Sequence, residues 1–161
     1  MKIAFTGTRN LDSEAIEPIW EWLFEIPYKS HEWHVGDAKG IDELVRNFAQ
    51  YLDIKLVVHE VIYFEKWGFA ERSQRLINSL NKGDLLMAFP NKECPKICTP
   101  KNFFSGHGSG TWGTIAYAKK RGIQIQLFPL VELCGDRSAK LPLPGWLMDE
   151  QESESRQLTL F

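Results

Sequence analysis

The sequence predicts an α/β protein: a single Rossmann-like, doubly wound and mainly parallel sheet with helices on both faces. Short apolar runs that read as buried strands alternate with amphipathic helical patterns, which is the signature of a parallel sheet covered on both sides. Glycine-bearing loops follow those strands, as they do where such sheets bind ligands beyond their carboxyl ends. With 161 residues, 43% of them hydrophobic and 12% aromatic, the chain suffices for one well-buried core and is too short for two ordinary domains.

In chain order, Lys2 to Thr6 is an apolar strand that stops at Gly7-Thr8-Arg9-Asn10. Asp12 or Ser13 then caps a helix with Ile16, Ile19, Trp20, Leu23 and Phe24 on one face, and Pro27 ends it. Glu32 to Val35 leads into Gly36-Asp37-Ala38-Lys39-Gly40, behind which Ile41, Leu44, Val45, Phe48, Ala49 and Leu52 mark a second helix. Ile54 to His59 is a third strand, rich in β-branched residues, and Val61 to Trp67 has no clear pattern. From Phe69 to about Asn81 the pattern is helical, with Phe69, Ser73, Leu76, Ile77 and Leu80 inward and Arg72 and Arg75 off that face. Gly83 to Phe89 is a fourth strand, and residues 91–105 form an insertion loop. Gly106-His107-Gly108-Ser109-Gly110-Thr111-Trp112-Gly113 follows, and then a helical segment from Thr114 to Arg121 carries Ile115 and Ala118 inward. Gln124 to Phe128 is the fifth strand, so the Rossmann-like domain spans residues 1–130.

Charge narrows the function. A formal net charge of −2 and a pI near 6.1 give no general electrostatic attraction to nucleic acid or anionic membrane, so any anion site is local. No apolar run approaches a membrane span, the N-terminus turns polar at Thr6, and the three cysteines are an odd count. These features predict a cytoplasmic protein with reduced thiols. Cys94, Cys98 and His107 match no common zinc spacing, so no metal site is expected.

The strongest local signal is the run from Gly106 to Gly113. Glycines that open a helix let backbone N–H groups approach an anion without Cβ obstruction, at the positive end of the helix dipole. Gly108, Ser109, Gly110 and Thr111 would hold a phosphate. Gly7, Thr8 and Arg9 would line the neighbouring wall, with Arg9 clamping phosphate or stacking on a base. Gly36 and Gly40 permit close backbone approach. Asp42, in a first helical turn, would repel phosphate and so would meet ribose hydroxyls. Arg72, with Arg75 three residues on, would offer a positive ridge. Phe103, Phe104 and Trp112 flank the phosphate loop, either as stacking surfaces or as rim of the core.

These motifs, Gly-Thr-Arg after the first strand, His34-Val35-Gly36-Asp37-Ala38-Lys39-Gly40-Ile41-Asp42, Arg72, and Gly108-Ser109-Gly110-Thr111, resemble in order and spacing those of the SLOG superfamily, in its YspA- and YpsA-related branch. The resemblance covers residues 2 to about 129. It implies a Rossmann-like domain that binds a nucleotide or nucleotide-derived ligand, with no further cofactor required. Some relatives are phosphoribohydrolases that release a base from a nucleoside monophosphate, others are ligand sensors, and the more distant DprA binds single-stranded DNA; relatives commonly form homodimers. In the hydrolase branch a glutamate closes the phosphate loop, and Thr114 stands at that position here. A neutral hydroxyl lacks the charge that the step requires, which favours binding over that enzyme, although Asp42 offers a carboxylate elsewhere.

Residues 131–148 read as an extended packing segment and 149–161 as a disordered tail. The tail ends in Gln157-Leu158-Thr159-Leu160-Phe161, which resembles the peptide by which bacterial DNA-metabolism proteins dock to the replication sliding clamp. In that reading Gln157, Leu158, Leu160 and Phe161 are the contact residues, and the whole is a bacterial or phage-type protein.

Overall fold

A computed structural model describes residues 1–27, 31–130 and 140–147. Five parallel strands form one sheet: β1 (Lys2–Gly7), β2 (Glu32–Gly36), β3 (Leu56–His59), β4 (Leu85–Phe89) and β5 (Gln124–Leu127), in the spatial order β3-β2-β1-β4-β5. Between them run α1 (Ser13–Glu25), α2 (Ile41–Tyr51), α3 (Gly68–Asn78) and α4 (Gly110–Lys120). This is the expected Rossmann-like, doubly wound arrangement.

Strand alternation sorts the core into two layers. Ile3, Phe5, Trp33, Val35, Leu85, Met87 and Phe89 face α1 and α2, whereas Ala4, Leu86, Ala88, Ile125 and Leu127 face α3 and α4. On the first face Phe5 and Trp33 lie 4.7 Å apart, and Trp33 stacks on Phe48 of α2 at 5.7 Å. On the second face the small Ala4 and Ala88 let α3 and α4 approach the sheet. Leu141 and Leu147 join that layer, and Trp146 donates from Nε1 to the Cys98 carbonyl at 3.1 Å. The chain winds outward from β1 to β3 and then returns to place β4 on the other side of β1, so the winding direction switches between β1 and β4. The loops after those two strands diverge to opposite faces and leave a crevice, as this topology requires.

Three helices depart from the sequence expectation. In α1 the buried stripe is Ala15, Ile19 and Leu23, and Ile16 and Phe24 are largely exposed. The small Ala15 lets the helix seat closely, while Trp20 and Phe24 wrap Phe48 from α2, each ring at 4.9 Å. In α3 the orientation is reversed at its start: Arg72 is buried and Phe69 is about half exposed. The reason is electrostatic and is described below. α4 begins at Gly110, not Thr114, so the last four residues of the glycine run form its first turn. Ser109 makes this start favourable, because its side chain caps the helix by accepting from the Trp112 N–H at 3.3 Å. The third and fourth strands also begin later than the apolar runs suggest, at Leu56 and Leu85.

Candidate functional site

A cavity of about 700 Å³ opens at the carboxyl ends of β1 and β4. One wall is the loop after β1, a second is the start of α4, and a third is the start of α3. Asp42 of α2 and Arg72 of α3 lie at its base.

The α4 wall is built from left-handed glycines. Gly106 and Gly108 have φ of 75° and 80°, values that β-carbon sterics make costly for other residues. They turn the chain on either side of His107, whose ring bolts the loop together: Nε2 donates to the Phe103 carbonyl at 2.7 Å and Nδ1 accepts from the Ser109 N–H at 3.1 Å. His107 is therefore a loop staple with both ring nitrogens engaged. The Ser109 amide is spent on that staple and its hydroxyl on the helix cap. The amides that stay free of intrahelical acceptors are those of Gly110 and Thr111, at the head of α4 and on the cavity wall. Thr114 also lines the cavity, is almost fully buried, and donates from Oγ1 to the Gly110 carbonyl at 2.8 Å.

The opposite wall carries Thr8 and Arg9. The Thr8 hydroxyl accepts from the Asn10 N–H at 3.1 Å and fixes the turn after β1. Arg9 lies with its guanidinium 4.3 Å above the Phe69 ring, a cation–π arrangement that holds the charge at the cavity mouth. Arg9, Lys66 and Lys92 line this cavity, and none of them forms an ion pair among the described residues.

The base of the site is a charge cluster in which Arg72 and Asp42 are buried and Asp37 is exposed. Arg72 donates to Asp37 at 2.8 Å and lies 3.6 Å from Asp42. Asp42 also accepts from the Ala38 N–H at 3.2 Å, and the second Asp37 oxygen accepts from the Val61 N–H at 2.9 Å. Burial pushes the Asp42 carboxyl above the usual carboxylate range, and the nearby guanidinium only partly counters this. Two carboxylates thus draw Arg72 inward, which is why α3 turns Phe69 out. Arg46 ties the same loop from behind, donating to the carbonyls of Gly36 and Ala38 at 2.8 and 2.9 Å.

Of the residues picked from the sequence, Gly7, Thr8, Arg9, Asp42, Arg72, Gly108, Ser109, Gly110 and Thr111 line this one cavity. Gly36 and Gly40 do not; they are packing positions beneath it. Gly40, with φ of 75°, sits against the Thr8 and Arg9 backbone. The expected Arg72–Arg75 ridge does not form, because Arg72 is buried and Arg75 pairs with Glu71 at 2.9 Å outside the cavity. Trp112 is buried and donates from Nε1 to the Lys92 carbonyl at 2.7 Å, and both Trp112 and Phe104 contribute to the cavity lining. Lys66, Trp67, Phe69 and Lys92 are lining residues that sequence patterning missed, since only the fold brings the α3 entry opposite α4. Burial pushes the Cys94 thiol up and the Cys98 thiol to about 12, and no cluster of metal-ligating side chains occurs among the described residues. Nor is any helix among them long and apolar enough to cross a membrane. Cys134 and the Gln157–Phe161 peptide lie outside the described residues.

No protein-family model, curated protein or solved structure matches the chain.

Proposed function

We propose that this protein binds a nucleotide or nucleotide-derived small molecule in the β1/β4 cavity. The observation that carries the reading is the meeting, in one cavity, of the Gly110 and Thr111 amides, free of intrahelical acceptors, with Arg9, Lys66 and Lys92, which form no ion pair among the described residues. In a chain of net charge −2, three cations placed around a helix N-terminus suit a phosphorylated ligand. Asp42, at the base, is suited to ligand hydroxyls. Binding is favoured over base release because Thr114, with its hydroxyl committed to the Gly110 carbonyl, supplies no carboxylate at the loop; among the described residues Asp42 is the one carboxylate in the lining. Kinship with the SLOG superfamily remains part of this proposal.

Mass spectrometry of small molecules released from the purified protein tests the reading, followed by incubation with nucleoside 5′-monophosphates. A co-purified nucleotide, or saturable nucleotide binding without free base, is expected. Prompt release of free base would replace the binding reading with the hydrolase one, and salt-sensitive affinity for single-stranded DNA alone would replace it with a DNA-binding one.

We further propose that Gln157, Leu158, Leu160 and Phe161 dock to a bacterial sliding clamp, on the strength of the pentapeptide alone. Deleting Gln157 to Phe161 is expected to abolish clamp binding and to leave nucleotide binding intact. Equal clamp affinity with and without those residues would end the idea.

A further inference from the structure

The entry to α3 exposes aromatic surface beside a polar cavity. Phe69 and Trp67 are 49% and 53% exposed, and both line it. Apolar rings clustered at the mouth of a polar cavity mark a surface that a ligand can cover. Their placement is also built in. The Gly68 between them is pressed against the Tyr63 carbonyl, where a Cβ has no room, and the Tyr63 and Trp67 rings meet at 4.8 Å. Burial of Arg72 by Asp37 and Asp42 fixes the rotation of α3 that turns Phe69 outward. Arg9 then lies against the Phe69 ring at 4.3 Å.

We propose that Phe69, Trp67 and Arg9 form a shelf on which the ligand's nucleobase stacks, with its phosphate directed across the cavity to the first turn of α4. This rests on the nucleotide reading above and assigns its polarity. Aromatic faces and a guanidinium plane accept any base, because every base has a π face. Purines, with the larger face, bind more tightly than pyrimidines. Lys66, next to Trp67, supplies charge on the same side and draws the anionic ligand to the mouth.

Calorimetric titration of the full chain with AMP, CMP and ribose 5-phosphate, for wild type and for Phe69→Ala, Trp67→Ala and Phe69→Tyr, tests the shelf. AMP is expected to bind more tightly than CMP, and both more tightly than ribose 5-phosphate. Each alanine variant is expected to weaken AMP by about 10-fold while leaving ribose 5-phosphate unchanged, and Phe69→Tyr to retain AMP affinity, since stacking on one ring is worth roughly 1–3 kcal/mol. Half-exposed positions leave the fold intact, which circular dichroism checks. Wild-type affinities that are equal for AMP and ribose 5-phosphate would overturn the shelf and keep the phosphate site. Equal losses for both ligands in the alanine variants would do the same. If wild type binds none of the three, the nucleotide reading falls and the shelf with it.

Discussion

Gly36 and Arg72 share one volume: the guanidinium occupies the space where a Cβ on residue 36 would stand, and the same Cβ would come within 2.6 Å of Asp42 Oδ2. A terminal guanidinium moves easily on a surface, but this one is buried and held at 2.8 Å by Asp37. Gly36→Ala therefore has to displace either the arginine or the aspartate. Overpacking of this kind costs roughly 1–3 kcal/mol. Urea unfolding should show a lower midpoint with an unchanged slope; a midpoint equal to that of wild type would mean that the guanidinium has room to spare.

The two charges beneath the cavity are not equivalent. Removing Arg72 leaves the exposed Asp37 and the buried Asp42 without their shared cation, and stripping one partner from a buried pair such as Arg72–Asp42 costs up to about 3–5 kcal/mol. Asp42→Asn removes the charge that burial already disfavours and keeps an acceptor for the Ala38 N–H. Because its carboxyl is raised in the folded state, the folded protein holds the proton more tightly than the unfolded chain does. Stability from this group thus rises as pH falls toward the ordinary aspartate value of 3.8. Asp42→Asn is expected to be neutral or stabilising at pH 7 and to flatten that slope, whereas Arg72→Met is strongly destabilising. Chemical denaturation of the two variants at pH 5 and 7 distinguishes them, and a large loss in Asp42→Asn at pH 7 would contradict the asymmetry.

The same cluster explains what the sequence could and could not reveal. The α2 face from Ile41 to Ala49 was legible because its apolar spacing and its burial coincide. The α3 orientation was not, because periodicity ranks Phe69 above Arg72 for the inner face, and the carboxylates that reverse this lie at positions 37 and 42. Convergence of the loops after β1 and before α4 was readable from their glycines, yet the helix start at Gly110 was hidden because glycine scores as a breaker even where a serine cap precedes it. Gly36 and Gly40 looked like ligand contacts for the same reason. Glycine reports close approach, and here what approaches is an arginine and the Thr8–Arg9 backbone.

A second buried polar chain links β2, β3 and α3. His34 Nδ1 lies 2.9 Å from His59 Nε2 and 3.2 Å from the Ser79 hydroxyl, and His34 Nε2 lies 2.7 Å from Glu32, which also pairs with Lys55. Burial, then the neighbouring His34, lower the His59 ring to about 4 from the ordinary histidine value of 6.5. The unfolded chain therefore binds this proton first on acidification. Stability is full above about 6.5 and falls until the pH reaches about 4. Glu32, held at about 2 instead of its ordinary 4.5 by Lys55 and His34, adds its own loss as the pH falls through about 4.5 and on toward 2. A loss of roughly 2 kcal/mol between pH 7 and 4 is expected from His59, and His59→Gln should reduce this slope. An identical pH dependence in wild type and His59→Gln would assign the acid sensitivity to other groups.

Two glycines of the α4 turn separate folding from binding. Alanine in place of glycine stabilises a helix interior by up to about 1 kcal/mol. At Gly113 that gain meets a clash, because the new Cβ would stand on the Phe104 ring and 2.8 Å from the Phe103 carbonyl. Backbone cannot step aside as a side-chain tip can, so overpacking of about 1–3 kcal/mol outweighs the propensity gain. Gly113→Ala should lower the thermal midpoint and push Phe104, a cavity residue, from its place. At Gly110 nothing lies within 4 Å of the added Cβ, which enters open space at the cavity wall beside the free amides. Gly110→Ala should fold with wild-type or higher stability and lose phosphate-dependent affinity for AMP and ribose 5-phosphate by about 10-fold. Thermal melts paired with titrations decide the matter: a Gly110→Ala protein that keeps both its stability and its affinity would remove the head of α4 from the binding site.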